Sequence, residues 1–261
     1  MLLSDVLTST NMNPLYYKYI PFFIKAWKKH FPNINIHIIV ISNKLSEELQ
    51  PYKHYIKLFP ELQNINTAFI AQTIRILYPA ILKNATGGII ITDMDMLPMG
   101  KKYYIDQIKD IDSSKFVCYR PLDCVGKDEM VICYNIAHYN IWSDIFNVKN
   151  EEDIKNILYN IYSNNNYSGQ HGGIGWNIDQ LYLYKKTQEW NTKTKSLCIL
   201  QKNIHVIMHN LLQKQNNYYV RLWKYIDPEI IKYFLSYDNI VDYHIPKNCD
   251  YEIIKKIINI T

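Results

Sequence analysis

Arginine is nearly absent from this chain: of 29 basic residues only Arg75, Arg120 and Arg221 are arginine, and the other 26 are lysine. Guanidinium is favoured where a planar, two-pronged grip on carboxylate or phosphate matters, so each of the three is a candidate for an ion pair or an anion contact. Cysteine is also thin. The five cysteines (Cys118, Cys124, Cys133, Cys198 and Cys249) are odd in number, scattered and without Cys-x-x-Cys spacing, which argues against a disulfide framework and a zinc site. Reduced thiols in the core are the expectation. No apolar run reaches the ~18 residues a membrane helix needs, and the start Met1-Leu2-Leu3-Ser4-Asp5-Val6 has no basic stretch of the kind that opens a signal peptide. The reading is therefore no membrane span and a cytoplasmic location. A net charge of +5, with lysines spread along the chain, gives nucleic-acid binding little support and suits a phosphorylated small molecule.

What is abundant is apolar and β-branched. With 261 residues, 48% of them hydrophobic, the chain can bury a full core as one large domain. Ile, Asn, Lys and Tyr dominate, a set with A- and T-rich codons, which suggests an A+T-rich genome. The periodicity alternates. Met1 to Ser9 and Ile36 to Ser42 read as strands around a helical stretch from Leu15 to Phe31, a β-α-β opening. Thr67 to Leu82 reads as a helix despite Pro79, leading through Asn84 to Gly88 into a strand at Ile89. Lys115 to Tyr119 and Met130 to Tyr134 read as a strand pair, and Ile136 to Phe146 and Glu151 to Tyr162 as helices. Ser163 to Ser168 reads as a flexible loop, and the remainder as short helices and loops.

The most informative segment is Gly87-Gly88-Ile89-Ile90-Ile91-Thr92-Asp93-Met94-Asp95-Met96. A buried-strand pattern ends in two carboxylates one residue apart, and in an open α/β sheet the ligand crevice lies at the carboxyl ends of the strands. Two anions this close suit a hard cation such as Mg²⁺ or Mn²⁺, which oxygen ligands hold while positions stay open for substrate phosphates. A strand followed by an Asp-rich turn accounts for the same letters.

A second segment, Gly169-Gln170-His171-Gly172-Gly173-Ile174-Gly175-Trp176-Asn177-Ile178-Asp179-Gln180, holds four of the chain's eight glycines. Such a backbone bends sharply or approaches something closely. In one reading this is a loop whose Asp179 caps the following helix. In the other, Trp176 offers an apolar face to a sugar ring and Asp179 is a hydrogen-bond acceptor or base.

In order and spacing, these features resemble the glycosyltransferases of the GT-A fold, of glycogenin-like or viral type, over most of the chain. Thr8-Ser9-Thr10-Asn11, followed by Tyr19-Ile20-Pro21 and Ala26-Trp27, resembles their first nucleotide-contacting loop and helix. Arg75-Ile76-Leu77-Tyr78-Pro79-Ala80 ahead of Ile91-Thr92-Asp93-Met94-Asp95 resembles the helix, donor arginine and metal motif. Cys133-Tyr134-Asn135 and Trp176-Asn177-Ile178-Asp179-Gln180 resemble the later donor and acceptor elements, and Asp242-Tyr243-His244-Ile245-Pro246-Lys247 the segment with a third metal ligand and a phosphate-contacting lysine.

The resemblance implies an α/β, GT-A-like fold with a Rossmann-like mixed central sheet flanked by helices. It implies one domain over 1–261, with a nucleotide-sugar half over about 1–135 and an acceptor half over about 136–261. The donor would be a nucleoside-diphosphate sugar, with uridine diphosphate expected, and the acceptor a hydroxyl of a glycan, protein or small molecule. Donor contacts would come from Thr8, Ser9, Asn11, Arg75, Thr92, Asp93, Asn135 and Lys247. Mn²⁺ or Mg²⁺ would sit on Asp93, Asp95 and His244, Trp176 and Gly175 would form the sugar or acceptor site, and Asp179 would take the acceptor's proton or orient the donor sugar. Each residue keeps a plain alternative: a loop histidine at His244 with His209 as rival ligand, a solvated charge at Lys247, a core ion pair at Arg75, turn chemistry at Thr8, Ser9 and Asn11. Two other classes stand beside this one. Asp93-Met94-Asp95 after a strand also fits a haloacid-dehalogenase phosphatase, although Leu97 stands where that motif expects Thr or Val. A non-catalytic carbohydrate-binding protein would use the many aromatic residues as sugar platforms.

Overall fold

The computed structural model describes residues 1–120, 126–200, 204–207, 219–223, 227, 229, 240–247 and 249–260. The chain opens with strand β1 (Leu3–Asn11), the short helix α1 (Pro14–Tyr17), helix α2 (Ile20–His30) and strand β2 (Asn35–Ile41). Strand β3 (Ile56–Phe59), helix α3 (Thr67–Leu77), strand β4 (Gly88–Ile91), strand β5 (Met96–Pro98) and helix α4 (Lys102–Asp106) follow. Next come β6 (Phe116–Cys118), β7 (Asn135–Ala137), α5 (Tyr139–Phe146), α6 (Glu151–Ser163), α7 (Ile178–Thr194) and β8 (Leu197–Ile199). Strands β9 (Ile204–Ile207), β10 (Tyr219–Trp223) and β11 (Ile240–His244) precede a C-terminal helix, Tyr251–Ile260.

Seven strands form one mixed sheet in the order β3-β2-β1-β4-β7-β6-β8. Its first four strands are parallel, and β7 runs antiparallel to both β4 and β6. The order reverses between β1 and β4, and such a switch point opens a crevice at the carboxyl ends of the two strands. A second sheet, β5-β11-β10-β9, is seeded by β5 immediately after the Asp93–Asp95 segment. This is the α/β, Rossmann-like mixed sheet flanked by helices that the resemblance implies, and it begins with the β-α-β opening that the alternating pattern implies.

Two apolar layers cover the main sheet. One buries Val6, Ile38, Val40 and Ile90 against Phe23 and Trp27 of α2 and Ile254 and Ile257 of the C-terminal helix. The other buries Leu7, Ile39, Ile89 and Ile91 against Ile70 and Ile74 of α3, Trp142 of α5 and Leu158 of α6. Successive strand residues alternate between the layers, so near-continuous Ile and Val runs are what a strand covered on both faces requires.

Several element boundaries differ from the sequence reading. The stretch from Leu15 to Phe31 is two helices, because the Asn13 side chain caps α1 at the Leu15 amide and Pro21 opens a new first turn in α2. α3 stops at Leu77 and tightens into a 3₁₀ turn over Tyr78–Ile81, since Pro79 offers no backbone N–H. Met130 to Tyr134 is not a strand. The Asn135 side chain donates to the carbonyls of Val131 and Ile132, both at 2.7 Å, which curls this segment. The partner of β6 is therefore β7, and α5 starts at Tyr139 rather than Ile136. In the stretch after Ser168, which reads as short helices and loops, the described residues hold the strands β8 to β11 and the 17-residue α7, whose buried positions, Ile178, Asp179, Leu183 and Thr187, make a stripe too narrow and polar to read as a helix signal.

Candidate active site

A cleft of about 190 Å³ opens at the carboxyl ends of β1 and β4. Its lining includes Ser9, Asn11, Tyr16, Gln72, Arg75, Asp93, Asp95, His171 and His244. Ser9 donates to the Ala71 carbonyl, and Asn11 Nδ2 donates to Thr67 Oγ1 at 3.1 Å, so these two side chains at the end of β1 are tied to α3. The α3 helix is capped by Asn66, whose side chain accepts from the Ala68 amide. Its last turn presents Arg75 to the cleft.

Arg75 bridges two carboxylates. Nη1 pairs with Asp93, and Nη2 lies 3.3 Å from Asp179 Oδ2. Its Nε donates to the Gln72 carbonyl at 3.2 Å, so the fork is held in place. Asp179 sits in the first turn of α7 with its side chain only 4% exposed, behind Arg75 and outside the residues that line the cleft. Burial pushes its carboxyl up to about 6, against the opposing pull of Arg75 and backbone hydrogen bonds.

Asp95 faces a different partner. His244 Nε2, at the end of β11, lies 3.1 Å from Asp95 Oδ2, and the Ile245 amide donates to the Asp95 carbonyl at 2.9 Å. Burial works to raise the Asp95 carboxyl, but the hydrogen bond and charge of His244 outweigh it and hold the group below its ordinary value. The antiparallel pairing of His244 with Met96 brings β11 to the Asp93–Asp95 segment.

Whether these donors suit a divalent ion is a question of geometry and chemistry. Among the described residues no group of three or more His, Cys, Asp and Glu side chains forms a ready metal cage. Asp95 and His244 present one oxygen and one nitrogen 3.1 Å apart, about the edge between adjacent ligands of an octahedral ion with ~2.1 Å bonds. Such a pair suits Mn²⁺ or Mg²⁺ with positions left for substrate oxygens, Asp93 being nearby on the same cleft. The rival ligand His209 lies outside the described residues.

The glycine-rich segment contributes to the cleft through His171, which the sequence reading passed over. Its ring packs on Trp176 with centroids 4.6 Å apart. The Trp176 carbonyl accepts from Gln72 Nε2 at 3.5 Å, and Tyr167 donates to Gln72 Oε1 at 2.5 Å, which fastens this loop to α3. Gly175 has a φ of +77°, and a Cβ there would stand 2.2 Å from the Asn166 carbonyl oxygen. The glycine is required by the fold of the loop.

Four expected donor contacts lie elsewhere. Thr8, Thr92 and Asn135 are fully buried and do not line the cleft; Thr92 donates its amide to the Leu7 carbonyl, and Asn135 serves the curl described above. Lys247 is exposed, three residues beyond His244, and likewise does not line it. Among the described residues no helix is long and apolar enough to cross a membrane.

No protein-family profile matches the chain, and no curated protein matches it. Similarity does appear among solved structures. The glycosyltransferase GlyE of Streptococcus pneumoniae TIGR4 is 14% identical with a TM-score of 0.46, over 77% of this chain and 46% of that one, so the match spans less than half of GlyE. The galactosyltransferase LgtC, solved with donor and acceptor sugar analogues, is 11% identical with a TM-score of 0.49, over 98% of this chain and 95% of that one. An active-site mutant of LgtC is 12% identical at the same score. Each is a glycosyltransferase. At such identity and overlap these similarities assign no reaction to this chain.

Proposed function

We propose that this chain is a metal-dependent glycosyltransferase of GT-A type that moves a hexose from a nucleoside-diphosphate sugar, with uridine diphosphate as carrier, to a hydroxyl acceptor in the cytoplasm. The observation that carries this reading is the convergence of Asp93, Asp95, His244 and Arg75 on one cleft at the strand-order reversal. That arrangement matches the needs of a diphosphate, which brings negative charge and requires cations and hydrogen-bond donors to meet it.

In this reading Asp95 and His244, with Asp93 beside them, would hold Mn²⁺ or Mg²⁺, whose chemistry here is to neutralise charge on the diphosphate leaving group. The chain's other residues bind and orient. Ser9 and Asn11 meet the nucleotide at the end of β1. Arg75 keeps Asp93 turned to the cleft and leaves little freedom for that carboxylate to act as a nucleophile, which disfavours the phosphatase reading. His171, which lines the cleft and packs on Trp176, gives the sugar or acceptor a flat face; Trp176 and Gly175 do not themselves line the cleft. Burial behind Arg75 disfavours Asp179 as the base, which would first have to shed that partner, and in place of direct contact with the donor sugar it supports a role through Arg75, which Asp179 anchors.

The test is incubation of the protein with a panel of nucleotide sugars and Mn²⁺, with release of free nucleotide measured. Metal-dependent release from a uridine diphosphate sugar, lost in Asp95→Asn, is the expected result. No release from any donor, with or without metal, would overturn the reading.

A further inference from the structure

Beneath the cleft lies a fully buried ion pair that no step above uses. Arg221 Nε donates to both oxygens of Asp242, at 2.9 and 3.1 Å, and the two side chains are 1% and 0% exposed. Tyr134 donates to Asp242 Oδ2 at 2.6 Å, and Tyr104 of α4 donates to the Tyr134 hydroxyl at 3.0 Å. Arg221 Nη2 points at Met96 Sδ, 2.9 Å away. These contacts join β10, β11, α4, the segment before β7 and the residue that follows Asp95.

Such a pair is a poor source of stability. Removing two charges from water costs about what their attraction returns, and well-packed apolar residues of similar volume often serve as well or better. What it does supply is register. β11 meets β5 over only three residue pairs (Asp242 with Pro98, Tyr243 with Leu97, His244 with Met96), and Pro98 brings no amide donor to that ladder. A slip of one residue would turn His244 to the opposite face. Asp242 and His244 stand two apart on β11 and share a face, so fixing Asp242 fixes where His244 emerges.

We infer that the Arg221–Asp242 pair is the positioning device of the candidate metal site, locking β11 against β5 so that His244 meets Asp95. Its expected consequence for ligand binding rests on the function proposed above; its consequence for geometry does not.

The test uses the full chain with Arg221→Met and Asp242→Leu combined, and Asp242→Asn as a milder variant that keeps size and shape. Two readouts are needed. In metal-free protein, the ring resonances of His244, assigned with His244→Gln, report its contact with Asp95. Titration of uridine diphosphate with Mn²⁺ reports the assembled site. The expected result is folded protein with His244 resonances displaced in each variant, a melting temperature in the double variant at or above wild type, and affinity lower by roughly ten- to a hundredfold. If the double variant does not fold, Asp242→Asn alone decides, and displaced resonances with weakened binding are again expected. Unmoved His244 resonances in a folded variant would overturn the inference, as would full affinity. Wild-type protein that fails to bind uridine diphosphate would instead refute the proposed function, leaving the resonance test of the pair intact.

Discussion

Arg75 Nη2 stands 3.3 Å from Asp179 Oδ2 across 104 residues of sequence, and through the same guanidinium Asp179 is linked to Asp93. One of three arginines in the chain thus spans two carboxylates that the sequence places in separate motifs. A planar fork with five donors spread over three nitrogens reaches both from one fixed plane, whereas an ammonium must gather its contacts at a single nitrogen.

Arg75→Lys is therefore expected to leave the buried Asp179 carboxylate without its guanidinium partner, with the Gln180 amide still donating to it at 2.9 Å, and to lower stability at pH 7 by roughly 1–3 kcal/mol. The loss should shrink near pH 5. Asp179, whose carboxyl is pushed up to about 6, is largely neutral there and has less need of a cation. Urea unfolding of both proteins at the two pH values checks this, and a loss of the same size at both would remove Asp179 from the explanation.

His244 lies at the half-buried mouth of the cleft and is expected to serve binding more than folding. His244→Ala should weaken Mn²⁺-dependent affinity for uridine diphosphate by at least about tenfold, while melting of the ligand-free protein barely moves. Calorimetric titration beside a His209→Ala control makes the comparison. Unchanged binding in the first and a large loss in the second would transfer the ligand role to His209.

His30, at the end of α2, gives a pH dependence unconnected with the cleft. Burial first, and Lys29 second, lower its imidazole from 6.5 to about 4, and its Nε2 is buried without a hydrogen-bond partner. Between those values the unfolded chain binds more protons than the folded one, so His30 withdraws stability as pH falls from about 6.5 to about 4. With part of the effect screened by solvent at this partly exposed ring, the contribution is on the order of 2 kcal/mol. Unfolding curves for wild type and His30→Gln across this window should converge as pH falls, the variant being the less acid-sensitive; parallel curves would contradict the assignment.

Local signals made part of this legible in advance. The Ile89–Ile91 run, Asp93, Asp95 and Arg75 follow from strand pattern and residue chemistry, and the structure brings them to one crevice. His244 joins them only through the pairing of β11 with β5, a contact between distant strands that no local period encodes. The donor role of Asn135 follows only from the resemblance of Cys133-Tyr134-Asn135 to a family element, and its amide is consumed by the carbonyls of Val131 and Ile132. His171 carries no local signal among its glycine neighbours, since its place in the cleft depends on Gln72 of α3 holding the loop. The polarity of α7 hid a 17-residue helix, since two of its four buried positions are the polar Asp179 and Thr187.

The central claim, that Asp95 and its neighbours form a metal-dependent diphosphate site, is tested most directly by calorimetric titration of uridine diphosphate into wild type and Asp95→Asn, with and without Mn²⁺. The account predicts saturable one-site binding in wild type only when Mn²⁺ is present, with about 2.7 kcal/mol of added stability at 100 times the dissociation constant, and loss of that binding in Asp95→Asn with the fold intact. Binding that ignores the metal, or that survives unchanged in Asp95→Asn, would contradict it.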